Sequence, residues 1–113
     1  MAATSEIILS SNTHPGDSTQ ATVTGDKYKG DGYYGRSDGF HSVQYTYSGL
    51  TGTITIQGTL AVEPVDDDWF DVHTYTAAQE SSSKITNFTG NYVWVRAVVT
   101  YTDGTIDSIT LNH

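Results

Sequence analysis

The chain has 113 residues, no cysteine and a formal net charge of −8 at pH 7. This length predicts one domain over residues 1–113, and the missing thiols exclude a disulfide scaffold or a thiolate metal site. Because a chain this acidic repels phosphate groups, we expect neither a nucleic acid nor an anionic membrane as a partner. The many Thr, Ser, Gly and Tyr residues favour β-strands over helices.

The N-terminal quarter predicts a short edge strand followed by a turn. Residues 6–9 contain three consecutive apolar side chains, Ile7, Ile8 and Leu9, which would be costly to leave in water. One hypothesis places them in an edge strand of the protein's own sheet, and the other seats them on a neighbouring chain. A Pro-Gly turn at 12–17 and a weakly alternating strand at 20–29 follow.

The glycine-rich segment 30–39 is predicted to be a loop. Gly-Asp-Gly-Tyr-Tyr-Gly matches a dinucleotide-binding motif by letter, and Gly35–Gly39 matches a hydrolase nucleophile elbow. Both motifs require a helix directly afterwards, whereas a strand pattern follows here. We therefore read the segment as turns that attach to a neighbouring chain, with Tyr33 and Tyr34 as candidate contact residues.

The central part of the chain alternates between apolar and polar residues. The pattern predicts strands at 40–48 and 52–62, each with one solvent-exposed face, joined by a hairpin at 49–52. An acidic turn at 64–68, a strand at 69–76 and a polar loop at 77–83 follow. Asp66–Asp68 fits no defined calcium loop, so a solvated turn is the expected role and a bound cation stays open. The scattered histidines show no metal-ligand spacing, and we expect no metal and no cofactor.

The last third holds the strongest strand pattern. Valines alternate from Val93 to Val99, and the opposite face carries Tyr92, Trp94 and Arg96. Large aromatic rings with an arginine on a polar face are typical of contact surfaces and also suit stacking on sugar rings. A second buried face is the alternative. Asp103-Gly104 predicts a hairpin turn, and the broken alternation at 106–109 predicts a bulge.

Together these elements predict an all-β fold, an antiparallel β-sandwich of seven to eight strands with a jelly roll as one arrangement. The predicted core is Val43, Tyr45, Ile54, Ile56, Leu60, Val62, Val72, Val93, Val95, Ala97, Val99 and Leu111.

Several segments resemble small β-sandwich virion structural proteins of contractile-tail cyanobacterial phages. They are the glycine-rich segment 30–39, Asp68-Trp69-Phe70, the run from Asn87 to Arg96, and Asp103-Gly104-Thr105-Ile106. The resemblance covers residues 6–113 and implies a β-sandwich built into a virion, with no catalytic residues to transfer.

On this basis we expect a structural protein of the virion rather than an enzyme. The leading expectation is a capsid decoration subunit on the head exterior, oligomeric in the particle, with the major capsid protein or sister subunits as partners. The alternative is a neck or tail-fibre adhesion module that binds host surface polysaccharide through Tyr92, Trp94, Tyr33 and Tyr34.

Overall fold

The computed structural model describes residues 6–16, 19–30 and 40–112. Segment 31–39 lies outside the described residues; it holds the predicted contact residues Tyr33 and Tyr34, the whole nucleophile-elbow match and all of the dinucleotide-motif match except Gly30. No helix in the described part is long and apolar enough to cross a membrane.

The described residues form one antiparallel sheet of seven strands, in the order β1-β7-β5-β6. The short strands β2, β3 and β4 also pair with β7. The strands are β1 Glu6–Leu9, β2 Asn12–Thr13, β3 Ala21–Thr24, β4 Tyr28–Lys29, β5 Phe40–Thr59, β6 Phe70–Thr89 and β7 Trp94–Asn112. A 3₁₀ turn at Asp66–Asp68 lies between β5 and β6.

The three long strands bend at the same level, and this bend replaces two predicted hairpins. β5 runs through Gly49–Gly52, and β7 runs through Asp103-Gly104. The pairing register shifts between Tyr47 and Gly52, and Gly49 and Gly104 have φ of 58° and 100°. The hairpin predictions were wrong because left-handed glycines here serve a bend, which lets one strand continue from one layer into another.

The bend folds the sheet into a β-sandwich, which confirms the predicted fold class. Layer A holds β1, β2 and residues 40–48, 81–89 and 105–112; layer B holds β3, β4 and residues 51–59, 70–78 and 94–103. Side chains meet across the layers: the Tyr45 hydroxyl lies 3.2 Å from His73 Nε2, and the Tyr47 hydroxyl donates to the Tyr75 hydroxyl at 3.1 Å. Hydrogen bonds to Tyr47 and Glu80 raise the pKa of Tyr75 above its ordinary value.

Both layers contribute to one hydrophobic core. The prediction is confirmed for Val43, Tyr45, Ile54, Ile56, Val95, Ala97, Val99 and Leu111, which are buried. Leu60 and Val62 are instead exposed, because β5 ends at Thr59 and the chain leaves the sheet there. Val72 and Val93 are half-buried.

Strand β1 belongs to the protein's own sheet. It pairs with β7, and the register shift between Ile7 and Leu9 inserts Ile8 as an extra residue. Because of this bulge the consecutive residues Ile8 and Leu9 both point into the core, while Ile7 stays exposed. The predicted bulge at 106–109 is confirmed as well, since Thr46 pairs with Ser108 and Tyr47 with Ile106.

Candidate functional site

The connection between β5 and β6, residues 60–69, projects from the end of the sandwich opposite the bend. Its start is fixed by Thr59, whose side-chain oxygen accepts a hydrogen bond from the Ala61 amide at 3.1 Å. The Thr59 carbonyl accepts another from the Val93 amide at 2.8 Å. Further along, the Val65 amide donates to Asp68 Oδ2 at 2.9 Å, and the Asp68 amide donates to the Val65 carbonyl at 3.0 Å. These reciprocal bonds close the acidic turn.

Trp94 holds the same connection from the outer face of layer B. Its indole N–H donates to the Val62 carbonyl at 2.9 Å. The Lys27 ammonium lies 4.6 Å from the centre of the Trp94 ring. The hydrogen bond fixes Val62 against the start of β7, and Lys27 covers the ring that makes it.

Arg96 holds the end of the connection in a similar way. Its guanidinium lies 4.4 Å from the centre of the Trp69 ring, and its Nε donates to Gln57 Oε1 at 2.7 Å. Gln57 Nε2 in turn donates to Asp71 Oδ1 at 3.0 Å. The predicted contact residues Trp94 and Arg96 thus lie on the outer face of layer B and position the connection.

The connection borders an open cavity of about 360 Å³ at the end of the sandwich, which we call the notch. Its lining residues are Gly58, Thr59, Leu60, Ala61, Asp67, Asp68, Phe70 and Tyr92. Gly58 occupies the inward position that follows Ile54 and Ile56 on β5, and its missing side chain leaves room for the Tyr92 ring beside the notch. The volume lies within the range of small-ligand pockets, and the mostly apolar lining with few polar groups is typical of them.

Tyr92 forms one wall of the notch. A β-carbon at position 58 would lie 2.6 Å from Tyr92 Cδ1, and one at position 90 would also meet the Tyr92 ring. The ring therefore fits between two glycines. Behind it, His41 stacks on Phe88 with ring centres 4.9 Å apart, and both rings lie 6.2 Å from that of Tyr92.

Phe70 and two carboxylates complete the lining. Phe70 pairs with Gly58 across β5 and β6, so its ring lies on the same face as that position. Its side chain is 69% exposed, although it is large and apolar. Asp68 uses one oxygen to close the acidic turn, whereas Asp67 is exposed and forms no hydrogen bond or ion pair with the described residues. The notch can therefore contact an apolar ring and accept hydrogen bonds from its substituents.

The structure separates the contact residues expected from the sequence. Tyr92 lines the notch and packs on the core instead of sharing a face with Trp94 and Arg96. Ile8 and Leu9 are in the core of this chain, so only Ile7 of that segment is exposed. Sequence reasoning missed Gly58, Leu60 and Phe70 as a site, and it considered Asp67 only as part of an acidic turn that could hold a cation. The signal for them was the glycine that interrupts the inward series of β5 just before the acidic turn.

No protein-family model matches the sequence, and the comparison with curated proteins finds no match. Several solved structures are similar. The family 29 carbohydrate-binding module CBM29_1 of Piromyces equi is 12% identical, with 100% of this chain and 93% of that chain covered and a TM-score of 0.51. The C-terminal family 6 module of the laminarinase LamC of Zobellia galactanivorans is 9% identical, with coverage of 99% and 100% and a TM-score of 0.50.

The enzymatically active domain of tailspike protein 4 of bacteriophage CBA120 is 8% identical. It aligns with 90% of this chain and 14% of that chain, at a TM-score of 0.51. At such low identity these likenesses show the shared fold alone, an antiparallel β-sandwich.

Proposed function

We propose that this chain is a carbohydrate-binding module and that the notch is its binding site. The observation that carries the proposal is the pair of rings, Phe70 and Tyr92, beside Gly58. A sugar ring has an apolar face of C–H groups and a rim of hydroxyls. The rings of the notch suit that face, and the carboxylates of Asp67 and Asp68 accept hydrogen bonds from the rim.

The structural comparisons support this proposal over the leading expectation from the sequence. Two of the similar structures are carbohydrate-binding modules, and the third belongs to a phage tailspike. Capsid decoration has no counterpart among these three. We therefore favour the adhesion alternative, a module that attaches a phage particle to a surface polysaccharide, and we place the protein in the virion as part of the proposal.

The same geometry favours binding over catalysis. Glycosidases place two carboxyl groups on either side of the scissile bond. In the notch Asp67 and Asp68 are consecutive residues of one 3₁₀ turn, so they approach a bound sugar from the same wall. We propose that they orient the sugar and do not cleave it.

Replacement of the exposed ring tests the function. We expect Phe70→Ala to weaken sugar binding about tenfold or more, because truncation of a central contact costs on the order of 1.4 kcal/mol or more. Folding should be unaffected, since the side chain is 69% exposed. Binding is measured on a glycan array and then by calorimetry with the best ligand.

Ile85→Ala is the matched control. Ile85 is also 69% exposed, but it lies in β6 on the outer face of layer A. It should leave both affinity and melting temperature unchanged. Equal affinity of Phe70→Ala and the unmodified chain for the same glycan would refute the notch as the site, and the absence of any glycan ligand would refute the function.

A further inference from the structure

We propose that the notch selects a positively charged sugar, an amino sugar whose amine is free rather than acetylated. This inference rests on the proposed function and names the class of ligand that the site takes. It is carried by the cavity and its two aromatic rings together with the charge of the lining.

Among the residues that the structure describes, the charged side chains that line the notch are negative. Asp67 and Asp68 line the cavity, and no basic side chain of the described ranges 6–16, 19–30 and 40–112 does so. None of the four basic residues that the structure describes lines the notch: Lys27 lies over the Trp94 ring, Arg96 over the Trp69 ring and Lys84 over the Tyr75 ring, and Lys29 has a contact of its own. Within the described part of the chain Asp67 has no ion-pair partner.

An ammonium group on the sugar would gain from two features of this site at once. It would face the carboxylate of Asp67, which a neutral hydroxyl contacts only through a hydrogen bond. It would also lie close to the π-faces of Phe70 and Tyr92, which attract cations. The net charge of −8 adds a long-range attraction for a cationic polymer and none for a neutral one.

Two oligosaccharides that differ only in the amine test this selectivity. Chitosan oligosaccharides carry free amines, and chitin oligosaccharides of the same length carry N-acetyl groups. At mildly acidic pH and low salt we expect calorimetry to show about tenfold tighter binding of chitosan, which corresponds to about 1.4 kcal/mol. The difference should shrink as NaCl rises from about 0.05 M to about 0.5 M, because salt screens exposed charges.

Removal of one carboxylate locates the effect. Asp67→Asn should lower chitosan affinity to about that for chitin while leaving chitin affinity unchanged. The control is Asp103→Asn, which removes the same charge at the bend and keeps an oxygen for the hydrogen bond from the Gly104 amide, 2.9 Å long. It should leave the affinity for both ligands unchanged.

Each other outcome overturns the inference. Equal affinity for chitosan and chitin, with Phe70 still required, removes the selectivity and leaves the proposed function standing. If Asp103→Asn lowers the chitosan affinity as much as Asp67→Asn does, the preference for chitosan comes from the net charge of the protein and not from the notch. If another glycan binds through Phe70 and neither test ligand binds, the inference fails alone; if no glycan binds, both proposals fail.

Discussion

At the residue scale, the notch depends on Gly58, because any larger residue at this position would displace the Tyr92 ring. We expect Gly58→Ala to lower the free energy of unfolding by about 1 to 3 kcal/mol, because its β-carbon would lie 2.6 Å from the Tyr92 ring. Gly58 does not have a positive φ, so its backbone accepts alanine and the cost is steric. Urea denaturation measures the change, and sugar affinity should fall in the same variant.

Without that steric contact, Gly58→Ala would raise the free energy of unfolding by about 0.4 to 1 kcal/mol, because alanine lowers the conformational entropy of the unfolded chain. An unchanged or higher midpoint for Gly58→Ala would therefore contradict the packing of Tyr92 over position 58. The sequence shows that Gly58 takes an inward position in β5. It does not show that Tyr92, from a distant part of the chain, fills the space above it.

At the scale of elements, substitutions in β1 test whether the N-terminal segment packs in the core of this chain or contacts another chain. Ile8 is buried and Ile7 is 59% exposed on the same strand. We expect Ile8→Ala to cost about 2 to 5 kcal/mol in the free energy of unfolding and Ile7→Ala to cost less than about 1 kcal/mol. Chemical denaturation of the two variants gives the comparison, and similar small costs would show that β1 is not part of the core.

The strands could be predicted from the sequence better than their connections could. Alternation correctly identified the buried faces around Val43–Tyr45, Ile54–Ile56 and Val95–Val99. The sequence predicts hairpins at Gly49 and Gly104 because a glycine occurs at this position both in a hairpin turn and in a bend of a continuous strand. Only the partner strand decides between them: β5 and β7 stay paired on both sides of the bend, so neither strand reverses there.

At the scale of the whole molecule, the fold class followed from composition and alternation, whereas the site did not. The notch combines the end of β5, the connection at 60–69 and the residues just before β7, which are joined by the Thr59–Val93 hydrogen bond of 2.8 Å. The periodicity of apolar residues describes one strand at a time. It does not show which distant segments of the chain contact each other. Periodicity accordingly predicts Leu60 in the core, although it lines an open cavity.

The most direct test of the central claim, that the end notch binds sugar, is a titration of the isotopically labelled chain with a glycan ligand, followed by NMR. The account predicts that the largest amide shifts fall on residues 58–61, 67–70 and 92, which surround the notch. Shifts confined to the outer face of layer B, around Trp94 and Arg96, would contradict it and return the site to the surface that the sequence suggested.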